Sequence, residues 1–120
     1  MHKIEIAQQA IDISMRRRGR VQPFTAIEPR KTALLVVDMQ TGFVAPGAVA
    51  EIPMAREIVP NINRLASALR EAGGTVVWII STYGPDAERD WTTFFNFIIT
   101  GEASDRFRLA FQPGKSEHAL

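Results

Sequence analysis

Asp38 is the residue of this chain best placed to do chemistry: it closes the apolar run TALLVV (32–37) and opens a loop, MQTGFVAPG, rich in breaking residues. A carboxylate at the end of a buried strand is partly desolvated and can act as a general base or orient a nucleophile. Aspartates in that position also cap loops through backbone amides, so placement alone leaves both roles open. Two residues on stands Gln40 rather than a second acid, which speaks against phosphoaspartate transfer. No acidic pair near the first strand is available for a receiver-like magnesium site either. TGFVAPG lacks the GxGxxG and GxxxxGK[ST] spacings that cradle phosphate. His2 and His118 lie at opposite ends of the chain, so no metal site is expected and both are expected at the surface. The chain contains no cysteine, which excludes disulfides, thiolate metal sites and a catalytic thiol in these residues.

The elements that must position Asp38 follow from periodicity. Continuous, β-branched runs such as TALLVV and TVVWII (75–80) fit strands covered on both faces, as parallel strands are. Between them Ile62, Leu65, Ala66, Leu69 and Ala72 fall on one stripe, with Arg64, Arg70 and Glu71 off it, predicting a helix over Val59–Ala72. Pro60 fits its first turn, Gly73 and Gly74 stop it, and Met54–Ile58 reads as a separate short turn. Strand, helix, strand implies a right-handed parallel crossover. Ligands of such sheets bind beyond the carboxyl ends of the strands, where the loops after Val37 and Ile80 both emerge. Trp91, Phe94, Phe95, Phe97, Ile98 and Ile99 predict a further short helix that Gly101 ends, followed by a stretch with Phe107, Leu109 and Phe111 and then a polar tail. At the amino terminus Ile4, Ala7, Ala10 or Ile11, and Ser14 or Met15 recur at helical spacing, and Arg16–Arg18 suit the negative end of the helix dipole before Gly19. Val21–Arg30, with Pro23 and Pro29, reads as a connector.

Composition narrows the partners. Fourteen basic against thirteen acidic residues give a net charge of +1, too little for a field that recruits nucleic acid or anionic lipid. A small-molecule or protein partner is expected instead; no apolar run is long enough to span a membrane and no signal pattern opens the chain, so a cytoplasmic location is expected. Two doubly apolar parallel strands leave unpaired edges, so further strands are expected from a continuation of the polypeptide, a second chain or an oligomeric partner. The fold class expected is α/β, a Rossmann-like three-layer α/β/α arrangement with a parallel sheet that is incomplete in this chain. Residues 1–30 are expected to form an amino-terminal helix and connector, and residues 31–120 the α/β domain.

TALLVVDMQTGFV (32–44) resembles the signature of the isochorismatase-like cysteine hydrolases, an apolar strand ending in D-x-Q with an aromatic residue shortly after. PNINRLASALREAGGTVVWI is similar to that family's crossover helix and second strand. DWTTFF and FQPGKSEHAL resemble the segments before the third strand in relatives near N-carbamoylsarcosine amidase. The resemblance implies hydrolysis of a C–N bond in a small amide or ureido compound by an Asp, Lys and Cys triad, with no cofactor. Asp38 would be the acid that takes the thiol proton and returns it to the leaving amine. Gln40 and Phe43 would shape the floor beside it. Trp91 and Phe94 would form an apolar wall over the substrate, or else pack a short helix. The family's lysine and cysteine have no counterpart here, and Lys115, in the polar PGKSEHAL stretch, is not assigned that role. The resemblance thus implies the amino-terminal portion of a hydrolase, completed by a missing half or a second chain and assembled as a homo-oligomer. A non-catalytic α/β binding or oligomerisation module derived from the family is the alternative.

Overall fold

The computed structural model of the protein describes residues 5–120. Ile4 and His2, which the sequence reading places in a helix and at the surface, lie outside the described residues. Strand β1 (Ala33–Val37) and strand β2 (Thr75–Ile79) pair in parallel, with Leu34 opposite Val76 and Val36 opposite Trp78. Helix α3 (Pro53–Glu71) connects them, and the helix α2 (Thr41–Val44) is a single turn just after β1. Helix α1 (Gln8–Arg18) precedes the sheet. After β2 come α4 (Ala87–Asp90), a π-helical turn over Phe94–Ile98, α5 (Glu102–Ala110) and a 3-10 turn over Ser116–His118. No described helix is long and apolar enough to cross a membrane.

The parallel pair joined by a helix is the α/β arrangement expected. Burial on both faces is not found. Side chains alternate across a strand, so Leu34, Val36, Val76 and Trp78 share the face that packs on α3, and Val36 is only 4% exposed. On the opposite face Leu35 is 57% exposed, Val37 52%, Val77 37% and Ile79 43%. No described element covers that face, because α1, the element available to do so, buries none of its own residues. This chain supplies the sheet and one helical layer.

Helix α3 begins earlier than its apolar pattern suggests. Pro53 takes the first helical position, where a missing N–H is harmless, so Met54–Ile58 continues into the helix instead of forming a separate turn. Pro60 therefore lies inside the helix, where its ring nitrogen has no hydrogen to give to the Arg56 carbonyl. The stripe that faces the sheet is Ala55, Val59, Ile62, Ala66 and Leu69, and Leu65, expected on it, is 58% exposed. Gly73 ends the helix in the left-handed region at φ +80°. Before α3, the Arg56 guanidinium donates to the Val44 carbonyl at 2.8 Å and to Glu51 Oε1 at 2.7 Å, and the Gly47 N–H donates to Glu51 Oε2 at 2.8 Å. The Gly47 N–H and then Arg56 hold the Glu51 carboxyl below its ordinary range. This knot gives a defined path to a loop that its glycines and prolines suggest is irregular.

A second core lies beyond the sheet. Tyr83, Ala87, Phe95, Phe107 and Phe111 are buried together, with Phe43, Phe94 and Ile99 packed against them. The aromatic run after Arg89 does not make one continuous helix: it splits into α4 and the π-helical turn, and Gly101 at φ +64° precedes α5 instead of closing a helix. Phe107 and Phe111, four residues apart, turn the inner face of α5 and its end onto this core. Phe111 is fully buried, and its ring tip lies against the backbone of Gly42, where an added Cβ would sit 2.5 Å from Cζ. Only a residue without a side chain fits that contact. Gly42→Ala should lower the free energy of unfolding by about 1–3 kcal/mol, whereas Gly84→Ala, in open space, should change it by less than about 0.5 kcal/mol. Chemical denaturation of the two variants measures both.

Candidate active site

Asp38 follows the last residue of β1, and its N–H extends the ladder by donating to the Ile79 carbonyl at 2.9 Å. Its backbone then turns to φ +55°, the one positive φ among the described non-glycine residues. Aspartate tolerates this region better than most side chains, yet the conformation is uncommon and tends to collect at functional positions. The turn leaves the carboxylate half-buried at the carboxyl end of the sheet, with Oδ1 accepting the Ser81 hydroxyl at 3.0 Å. Among the described residues no hydrogen bond is made to Oδ2.

Gln40 is fully buried, and its amide is completely engaged by the chain. Oε1 accepts the Ser81 N–H at 2.7 Å, while Nε2 donates to the Ser81 carbonyl at 2.9 Å and to the His118 carbonyl at 2.9 Å. The amide thus grips the main chain just after β2 at two points and the carboxy-terminal turn at a third. His118, expected at the surface, is half-buried because this turn is drawn in by Gln40 and by the Thr41 N–H, which donates to the Ala119 carbonyl at 2.7 Å. With its donors and acceptor so occupied, Gln40 stands as a tie within the protein.

The aromatic residues singled out in the sequence converge on Tyr83. Its ring stands 5.8 Å from Trp91 and 6.4 Å from Phe94, and 6.2 Å from Phe111, which in turn lies 4.6 Å from Phe43. Phe43 and Phe94 are half-buried in this cluster. Trp91 is 54% exposed. Trp91, Phe94 and Ile98 also line an open cleft of about 440 Å³, whose lining does not include Asp38. Lys115 is exposed in the tail, beside Glu117 and Arg106 at another opening. Among the described residues no group of three or more His, Asp or Glu side chains is placed to hold a metal ion.

Ser81 and Tyr83 were not singled out from the sequence, although both belong to the loop at the carboxyl end of β2, where a ligand site is expected. Ser81 reaches Asp38 through its hydroxyl, while Tyr83 is packed in the aromatic core. Burial pushes the Tyr83 phenol above its ordinary value, and the Asp38 charge adds to that rise. Asp38 and Ser81 therefore form a polar pair at the strand ends, backed by aromatic rings.

A model of the isochorismatase domain matches residues 32–118. The chain belongs to that family. The match opens at Thr32, next to the start of β1, and takes in Asp38, Gln40, Ser81 and Tyr83. Among curated proteins the chain is 40% identical over 62 residues to a probable inactive nicotinamidase from Arabidopsis thaliana, an alignment covering 49% of this chain and 32% of that protein. It spans about a third of the length of this relative. No solved structure matches.

Tyr83 is the only tyrosine in the chain, so phenolate absorbance reports on this group without interference from another tyrosine. The titration midpoint should lie above the ordinary 10.0. Asp38→Asn should lower it by removing the like charge. The unfolded tyrosine ionises first, so this group's contribution to stability is intact below about pH 10 and is lost as pH rises through the folded midpoint. Ultraviolet difference titration of the two proteins checks both directions.

Proposed function

We propose that the chain is the part of an isochorismatase-family hydrolase that carries the acid–base residue, Asp38, for cleaving a C–N bond in a small amide or ureido compound, as in relatives near N-carbamoylsarcosine amidase. The supporting observation is the Asp38 carboxylate itself, held at the end of β1 by a turn of positive φ and met at Oδ1 by the Ser81 hydroxyl, while Oδ2 accepts no hydrogen bond among the described residues. In this reading Asp38 takes the proton of a thiol, and the thiolate attacks the carbonyl carbon. The C–N bond breaks as the same proton passes to the leaving amine, and water then releases the acyl group. The thiol and an accompanying lysine come from outside these 120 residues, by continuation of the polypeptide or from a second chain in a cytoplasmic homo-oligomer. The uncovered face of the sheet, with Leu35 57% exposed and Val37 52%, supports completion by further structure.

A second reading, a binding or oligomerisation module without catalysis, is favoured by the similarity to a probable inactive nicotinamidase and by the absence of cysteine from the sequence. Isolating the native polypeptide with whatever copurifies, and assaying it on small amides and ureido compounds, decides between them. The enzyme reading predicts turnover that thiol alkylation abolishes and that Asp38→Asn lowers by at least about 100-fold, with the fold unchanged by circular dichroism. Near-normal hydrolysis by that variant would refute the role given to Asp38. A folded native product with no thiol-bearing component and no turnover would establish the module.

A further inference from the structure

Asp38 and Gln40 reach the same residue from opposite sides. Gln40 fixes the Ser81 main chain by accepting its N–H at 2.7 Å and donating to its carbonyl at 2.9 Å. With its backbone held at both ends of the residue, Ser81 has little freedom to move its Cβ, and its hydroxyl meets Asp38 Oδ1 at 3.0 Å. The ring closes through the chain itself, because Asp38 and Gln40 are separated by Met39 alone. A carboxylate at the half-exposed end of a strand has two or three rotamers open to it, and a single charge-assisted bond from a fixed donor is enough to select one.

We propose that Ser81 is a positioning residue for Asp38: Gln40 clamps the Ser81 backbone so that the Ser81 hydroxyl holds the Asp38 carboxylate in one rotamer, aimed out of the sheet end. The D-x-Q spacing is then one device, in which the acid does the chemistry and the amide fixes the residue that aims it. The catalytic consequence rests on the reading of Asp38 as proton carrier, but the aiming does not.

Two readouts separate the claims. Three-bond couplings to the Asp38 carboxyl carbon in isotope-labelled protein report its side-chain torsion and need no activity. They should indicate one rotamer in the wild type, averaging in Ser81→Ala, and one rotamer again in Ser81→Thr, which restores the hydroxyl. In the turnover assay Ser81→Ala should lower kcat by about 10- to 100-fold with KM nearly unchanged, and Ser81→Thr should recover most of the loss. A single Asp38 rotamer retained in folded Ser81→Ala overturns the proposal whatever the activity. Averaging in that variant, combined with a wild type that hydrolyses nothing, upholds the aiming and removes the catalytic role of Asp38 instead. If Ser81→Ala fails to fold, Ser81→Cys, nearly the same size but a weak donor, takes its place and should show the same averaging.

Discussion

The candidate site depends on a buried amide. Putting the Gln40 side chain wholly out of water is unfavourable by several kcal/mol unless its polar atoms find partners, and all three of its hydrogen bonds go to main-chain groups distant in sequence. Those partners belong to the loop after β2 and to the carboxy-terminal turn, so satisfying one side chain fixes the relative positions of three segments. The parallel ladder aligns the strands along their length; Gln40 sets the gap where they end. A looser arrangement would leave an amide buried with groups unpaired, which is why the strand ends are held in one geometry.

The rest of the molecule divides its work between two packed regions. Helix α3 closes one face of the sheet, and an aromatic cluster of Tyr83, Phe95, Phe107 and Phe111 supports the loops beyond it. Tyr83 belongs to both the loop after β2 and the core: its ring is packed among phenylalanines, and its N–H donates to the Phe111 carbonyl at 3.3 Å. Rigid aromatic packing under the loop after β2 thus limits how far Ser81 can drift. Helix α1 stands apart from this scheme, with no buried residue, and should open at low free energy.

The strands, the crossover helix and Asp38 were legible in the sequence because each rests on a local signal: an unbroken apolar run, a stripe at helical spacing, an acid where the run stops. The start of α3 was misread because Pro60 and Pro53 give the same local signal for a first helical position, and only the packing of Ala55 and Val59 on the sheet decides between them. The open sheet face follows from a related limit of local signals. The apolar pattern of Leu35, Val37, Val77 and Ile79 states that a face wants cover without stating whether the same residues provide it. Ser81 and Tyr83 carried no motif, and their importance comes from a partner about forty positions away. The one-turn helix at Thr41–Val44 was hidden by Gly42, whose presence reflects the approach of Phe111 and not a break in the chain.

The backbone at Asp38 has a bearing on how this position can change over evolutionary time. A left-handed conformation is easily adopted by glycine and asparagine and strongly resisted by valine, isoleucine and threonine. Asn or Gly at this position would therefore keep the turn while removing the charge, whereas a β-branched residue would strain the chain just where β1 ends.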